Sequence, residues 1–111
     1  TLGILGTNFL MNGNVYREVL SSRGIQTVIP NAADRERINT FIFDELVKGT
    51  FKNSTREYFR RVASVLADRG CDAVVMGCTE IPLILGPEDT EVPLLDSTRL
   101  LARAALEEAL T

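Results

Sequence analysis

An α/β fold with an open parallel sheet of about four strands is what this sequence predicts, from the order, length and character of its apolar runs. Four short runs read as strands: Leu2-Gly3-Ile4-Leu5, Thr27-Val28-Ile29, Ala73-Val74-Val75-Met76 and Val92-Pro93-Leu94-Leu95. Each is followed by a stretch with helical spacing. The runs are continuously apolar, not alternating, which suits strands covered by helices on both faces. Strands that alternate with helices build βαβ units of one hand, and these stack into three layers. Pro93 has no N–H to give to a ladder, so the fourth run is expected at an edge.

The helices follow from their caps and stripes. Residues 11–23 form the expected first helix, closed by Gly24. The second begins near Asp34 and repeats apolar residues at Ile38, Phe41, Ile42 and Leu46, spacings that share one face. Lys48-Gly49 supplies a cation and a cap at its end. The third shows a capping-box pattern, Ser54 with Glu57, then the stripe Tyr58, Phe59, Val62, Leu66 before Gly70. The last helix spans roughly residues 97–110, where Arg99, Arg103 and Glu107 make one narrow polar line. Most of its circumference is apolar, which predicts packing against a surface outside this chain.

Composition narrows the function classes. A chain of 111 residues with 45% apolar content supports one small domain with its own core. Twelve Lys and Arg against 15 Asp and Glu give a net charge of −3, which argues against a nucleic-acid binder. Arg56, Arg60 and Arg61 share a helix with Glu57 and read as a solvated face; Glu88, Asp89 and Glu91 beside Pro87 read as a solvated loop, not a metal site. No apolar run approaches the roughly 20 residues that cross a bilayer, and the start lacks a signal-peptide pattern, so no membrane partner is expected. Two cysteines are too few for a disulfide framework, which makes a cytoplasmic setting the expectation. There is no histidine, so no Cys-His or Ser-His pair forms within the chain, and no adequate zinc ligand set either. The chain opens without Met directly on a strand-like run, as a piece of a longer protein would.

In open parallel sheets ligands bind outside the carboxyl ends of the strands. That singles out Gly6-Thr7-Asn8, Pro30-Asn31, Gly77-Cys78-Thr79 and Asp96-Ser97-Thr98. Cys78 follows the most apolar strand, where a helix is expected to begin, and amides and dipole at such a start lower a thiol pKa. Gly77 leaves room for a ligand, Thr79 offers a hydroxyl, and Glu80 puts a carboxylate in the first turn. By location alone, a space-filling cysteine is an equally good reading. Gly6-Thr7-Asn8 has the place of an anion-binding turn, yet no P-loop lysine or full Gly-x-Gly-x-x-Gly accompanies it, and a plain connecting loop is the commoner outcome. Cys71, beside Asp72 at the other end of its strand, reads as structural.

The segment from Ala73 through Gly77-Cys78-Thr79-Glu80 to Ile81-Pro82-Leu83-Ile84-Leu85 resembles the second-cysteine motif of the aspartate/glutamate racemase family. Leu5-Gly6-Thr7 with Met11 and Tyr16, Glu45-Leu46 with Gly49, and Val92 through Thr98 are similar to further landmarks of that family in the expected order. The resemblance implies a flavodoxin-like or Rossmann-like three-layer lobe of a two-lobed, pyridoxal-independent amino-acid racemase. Residues 1–111 would be its C-terminal half, about 1–95 the second lobe and about 96–111 a final helix that packs on the N-terminal lobe. It implies Cys78 as one of two acid/base groups, with Thr7, Asn8, Thr79, Glu80 and Thr98 as substrate-binding residues. An acidic amino acid of four or five carbons is the implied substrate, with no cofactor (neither pyridoxal phosphate, nucleotide nor metal) and a homodimer as the full-length assembly. Inversion needs a base on one face of the α-carbon and an acid on the other, which two cysteines across a cleft supply. Leu10 stands where many relatives place a second threonine, and Leu101 where many place a histidine. Hydantoin racemases and arylmalonate decarboxylases share the cysteine and use the carbanion differently; a non-catalytic ligand-binding or assembly lobe is the alternative outside catalysis.

Overall fold

The most apolar run of the sequence lies innermost. In the computed structural model, which describes residues 1–97, β1 (Leu2–Leu5), β2 (Thr27–Val28), β3 (Ala73–Met76) and β4 (Leu94–Asp96) form one sheet in the order β2-β1-β3-β4. Every pairing is parallel. All four residues of β3 are buried, so its backbone groups must be satisfied by neighbours on both sides. Leu2 to Leu5 pair with Ala73 to Met76 one for one, and Val74 to Met76 pair with Leu94 to Asp96. β4 is an edge strand as Pro93 predicts; the proline still contributes, since its carbonyl accepts from Val74 N–H at 2.9 Å.

Between strands run α1 (Asn8–Asn12), α2 (Val15–Ser21), α3 (Ala32–Phe41) and α4 (Asn53–Asp68). Side chains alternate along a strand, so Gly3, Leu5, Val74 and Met76 share one face. α4 lies there: a Cβ on Gly3 would meet Leu66 Cδ1 at 3.0 Å and Cys71 Sγ at 3.4 Å, and glycine is what lets the helix approach. Leu5, Val74 and Met76 join Ile38 of α3 and Phe59, Val62 and Leu66 of α4 in the core. Ile4 faces the other way and meets Met11 and Tyr16 around a cavity of about 150 Å³. Both faces are therefore covered, as the continuous apolar runs predict. Among the described residues no helix is long and apolar enough to cross a membrane.

The helices depart from expectation in instructive places. One helix over 11–23 is predicted; the structure has two, beginning earlier and broken after Asn12, where Gly13 N–H caps back to Phe9 O at 3.1 Å. The capping box of Ser54 and Glu57 does not form: α4 begins at Asn53 without a side-chain cap, and Glu57 pairs with Arg60 at 2.7 Å. The buried neighbour Thr55 instead donates to Glu45 Oε1 at 2.5 Å. α3 starts two residues before Asp34, capped by Asn31, and runs on through a wider turn, Ile42–Leu46. The glycine stops hold, with positive φ of 76° at Gly24, 78° at Gly49 and 94° at Gly70. The final helix expected over 97–110 falls, except for Ser97, outside the described residues.

The charged clusters are also more structural than expected. Arg56 reaches Asp89 at 2.8 Å and Glu88 at 3.1 Å, and Asp89 Oδ2 accepts from Gly86 N–H at 2.8 Å. Asp89 is 8% exposed, so the 88–91 loop is anchored and not simply solvated. Asp34, 7% exposed, accepts from Tyr58 Oη and from Arg61 at 3.0 Å. Burial pushes the pKa of both carboxyls up, but the hydrogen bonds and the arginines outweigh it and hold both below the ordinary value.

Two stability predictions follow from this packing. Phe59 is fully buried, so Phe59→Ala is expected to lose about 3–5 kcal/mol. That is a large share of the roughly 5–15 kcal/mol of a small domain, and urea melts at pH 7 should show it. A carboxyl with a depressed folded pKa contributes stability above its unfolded pKa and loses it as pH falls through the folded one. The thermal midpoint should therefore be flat above about pH 5 and drop below about pH 4. Asp34→Asn combined with Asp89→Asn should lower the neutral plateau and flatten the acid limb, as followed by circular dichroism.

Candidate active site

One step past the last paired residues, Gly77 N–H donates to Leu5 O at 2.7 Å. That bond brings the turn after β1 (residues 6–8) against the turn after β3 (residues 77–80), at the carboxyl end of the sheet. Ser97 Oγ donates to Met76 O at 3.0 Å and ties the end of β4 to the same point. The two central strands thus deliver Thr7, Asn8, Cys78, Thr79 and Glu80 to one neighbourhood.

Thr7 is the N-cap of α1: its Oγ1 accepts from Leu10 N–H at 3.3 Å, which leaves the hydroxyl proton to donate. Asn8 N–H donates to Asn39 Oδ1 of α3 at 2.8 Å. The first turn of α1 is thereby held from two sides. Asn39 carries no motif, and only the tertiary structure identifies it as a support of this turn. Asn31, also after a strand, is used as the cap of α3, accepting from Asp34 N–H at 2.8 Å.

Cys78 sits half-buried in a bend, not at the start of a regular helix; a single 3-10 turn, Ile81–Leu83, follows. The expectation of a lowered pKa is corrected with it. Burial pushes the thiol up, the N–H groups of Ile81 and Glu80 pull it down, and the Glu80 carboxylate pushes it up again. The balance is a raised pKa, so the neutral thiol is the dominant form near pH 7. One short turn has no helix dipole to set against desolvation. Thr79 is exposed and Glu80 half-buried against the sulfur. Thr98 lies outside the described residues. Cys71 is buried at the opposite end of β3.

Leu10 forms the wall between the turns. A Cβ on Gly6 would meet its Cδ2 at 2.5 Å, and one on Gly77 would meet the same atom at 2.3 Å. Among the described residues no group of three or more His, Cys, Asp or Glu side chains is placed to hold a metal ion.

The family model for Asp/Glu/Hydantoin racemase matches residues 1–105. The fold superposes on the crystal structure of a candidate Asp/Glu racemase from Yersinia pestis with a TM-score of 0.95 and 37% identity, over 99% of this chain and 48% of that one. It superposes on an aspartate racemase homologue from Pyrococcus horikoshii OT3 with a TM-score of 0.89 and 32% identity, again over 99% and 48%. The chain therefore spans about half the length of these solved structures. An uncharacterised protein in the pnlA 3′ region of Pectobacterium carotovorum subsp. carotovorum is 26% identical over 96% of this chain and 71% of its own length.

Iodoacetamide should label Cys78 before Cys71, because Cys71 is 4% exposed while Cys78 lies half-buried at the mouth. A raised pKa means the Cys78 rate climbs with pH through a midpoint above the ordinary value of about 8.5. Glu80→Gln should move that midpoint down by removing the neighbouring negative charge. Peptide mapping across a pH series reads both effects, and equal labelling of the two thiols would count against the assignment.

Proposed function

Because the chain belongs to the Asp/Glu/hydantoin racemase family, we propose that it is the Cys78-bearing lobe of a cofactor-independent amino-acid racemase of the aspartate/glutamate type. The observation that carries this reading is the adjacency of the Thr7 and Cys78 turns at the carboxyl ends of β1 and β3. An amino acid held there has a thiol at one side and hydroxyl and amide donors around its carboxylate. Thr7, Thr79 and the turn amides bind that carboxylate and stabilise the charge that develops on proton removal.

The chemistry asks for a second group. In one direction a thiolate takes the α-proton and the carbon becomes planar. A thiol on the opposite face then gives up its own proton, so each turnover exchanges which sulfur is protonated. A second lobe, of the size that the solved relatives carry beyond the matched 48%, would supply that opposing group. Phe9, 91% exposed, and Leu83, 63% exposed, follow the two strand ends and offer such a lobe apolar surface. No pyridoxal ring is needed in this scheme, since the donors at the carboxylate stabilise the carbanion.

The test uses the full-length protein, its Cys78→Ala variant and the present chain alone, each with L- and D-aspartate and L- and D-glutamate in D2O. Cys78→Ala is expected to lose inversion and α-proton exchange about 100- to 10,000-fold. The lone chain should not invert either amino acid, having one face of the reaction only. Chiral chromatography and loss of the α-proton NMR signal report the two steps. Undiminished activity in Cys78→Ala would remove Cys78 from the mechanism, and inversion by the lone chain would remove the second lobe.

A further inference from the structure

We infer that the groove beside β2, between α3 and α4, is a second binding site and takes a small carboxylate with an apolar tail. The inference stands independently of the racemase reading. The groove has a volume of about 460 Å³, within the roughly 300–1,000 Å³ of small-molecule sites. Its apolar lining is Ile29, Val62, Val65 and Leu66, and its cations are Arg35 and Arg69. Val62 and Leu66 are buried, while Val65 is 38% exposed. None of the residues that line it belongs to the turns 6–8 or 77–80.

The edge of the sheet explains why the two arginines are there. Among the described residues β2 is an outer strand, paired with β1 alone. Leu2 N–H donates to Gln26 O at 2.8 Å, and alternate residues of a parallel strand turn their bonding groups to opposite sides. Gln26 and Val28 therefore face β1, and the carbonyl of Ile29 faces away from it. Arg69, just past the last residue of α4, donates to that carbonyl at 3.0 Å. Pro30 has no N–H with which to continue the ladder, and its carbonyl accepts from Arg35 of α3 at 2.6 Å. Neutral carbonyls of consecutive residues thus hold two guanidiniums at one groove without neutralising either. Among the described residues neither forms an ion pair. A guanidinium has five N–H donors, so most remain for a ligand. Asp34, the acidic side chain in the lining, is already answered by Arg61 at 3.0 Å and by Tyr58. Two cations without a carboxylate, on a protein of net charge −3, select an anion, and the planar guanidinium suits a carboxylate. The aliphatic floor selects the tail.

Octanoate, butanoate, octanamide and inorganic phosphate are titrated into the full-length protein with labelled Ile, Leu and Val methyl groups, with thermal midpoints as the check on folding. Octanoate should shift the methyl NMR signals of Ile29, Val62, Val65 and Leu66 to saturation. It should bind at least about tenfold more tightly than butanoate, since each buried methylene contributes about fourfold. It should exceed octanamide by about tenfold as well, the worth of a hydrogen bond to a charged group. Arg35→Gln combined with Arg69→Gln should weaken octanoate at least about tenfold and leave octanamide unchanged. Val65→Glu, at an exposed position, gives the arginines a carboxylate of the chain's own and should weaken octanoate equally, whether or not the double variant folds. Octanamide that binds as tightly as octanoate overturns the role of the arginines, and phosphate that moves the same methyls with equal affinity overturns the role of the floor. Octanoate that moves no methyl of the groove, or binds Val65→Glu as it binds wild type, overturns the site.

Discussion

The pairing of β1 with β3, in register and closed by Gly77 N–H on Leu5 O, is the constraint from which the rest of this structure follows. A parallel ladder has no hairpin to set its register, so the match of apolar faces and the bonds at its ends must do so. Slipping it by one residue would turn Gly3 away from Leu66 and put a larger side chain where the helix now sits. It would also pull the Thr7 turn out of line with the Cys78 turn. The bond at the ladder's end makes its own demand: a Cβ on Gly77 would stand 3.0 Å from Leu5 O. The interaction that aligns the site thus requires glycine beside the cysteine.

The outer helices reinforce that alignment through polar contacts. Asp34, at the start of α3, is held by Tyr58 and Arg61 of α4, and Tyr58 stacks edge-on to Phe41 with ring centroids 5.2 Å apart. Arg37 and Arg61 lie over the Tyr58 ring at 5.4 and 4.7 Å. These contacts fix α3 against α4, and α4 is fixed against the sheet by Leu66 over Gly3. Asn39, on α3, then carries that rigidity to Asn8 at the site. A burial-penalised carboxylate is tolerated because two donors satisfy it, and the same donors lock the layer.

Much of this was legible in the sequence because burial leaves a plain record. The strand positions follow from continuous apolar runs, the edge place of β4 from Pro93, and the helix ends from Gly24, Gly49 and Gly70. The places of the turns after β1 and β3, at the carboxyl end of the sheet, were legible as well, from the order of strands and helices. What escaped was decided by tertiary contacts with no local signature. Ser54 and Glu57 satisfy a capping pattern, but Glu57 is drawn to Arg60. Asp89 and Asp34 look like surface charges until the arginines of α4 are placed beside them. The first helix, capped by Thr7, starts at Asn8 and ends at Gly13, whose N–H bonds back to Phe9 O, so the single helix expected over 11–23 is two. The expected helix at Cys78 reduces to one 3-10 turn containing Pro82, which gives up an amide just where a helix would use it.

The raised pKa of Cys78 bears on how a two-base reaction would be shared. A thiol is the donor form, so on the racemase reading the free lobe would offer a proton to a carbanion more readily than it would take one. Abstraction needs the thiolate, and three features oppose it: burial, the Glu80 carboxylate, and the lack of a helix dipole behind the sulfur. The N–H groups of Glu80 and Ile81 work in the other direction and are already in place. An amino acid arriving with its ammonium group adds a positive charge near the sulfur, which favours the thiolate at the moment it is required. On the racemase reading, the substrate itself tips the balance of a cysteine that is otherwise kept protonated.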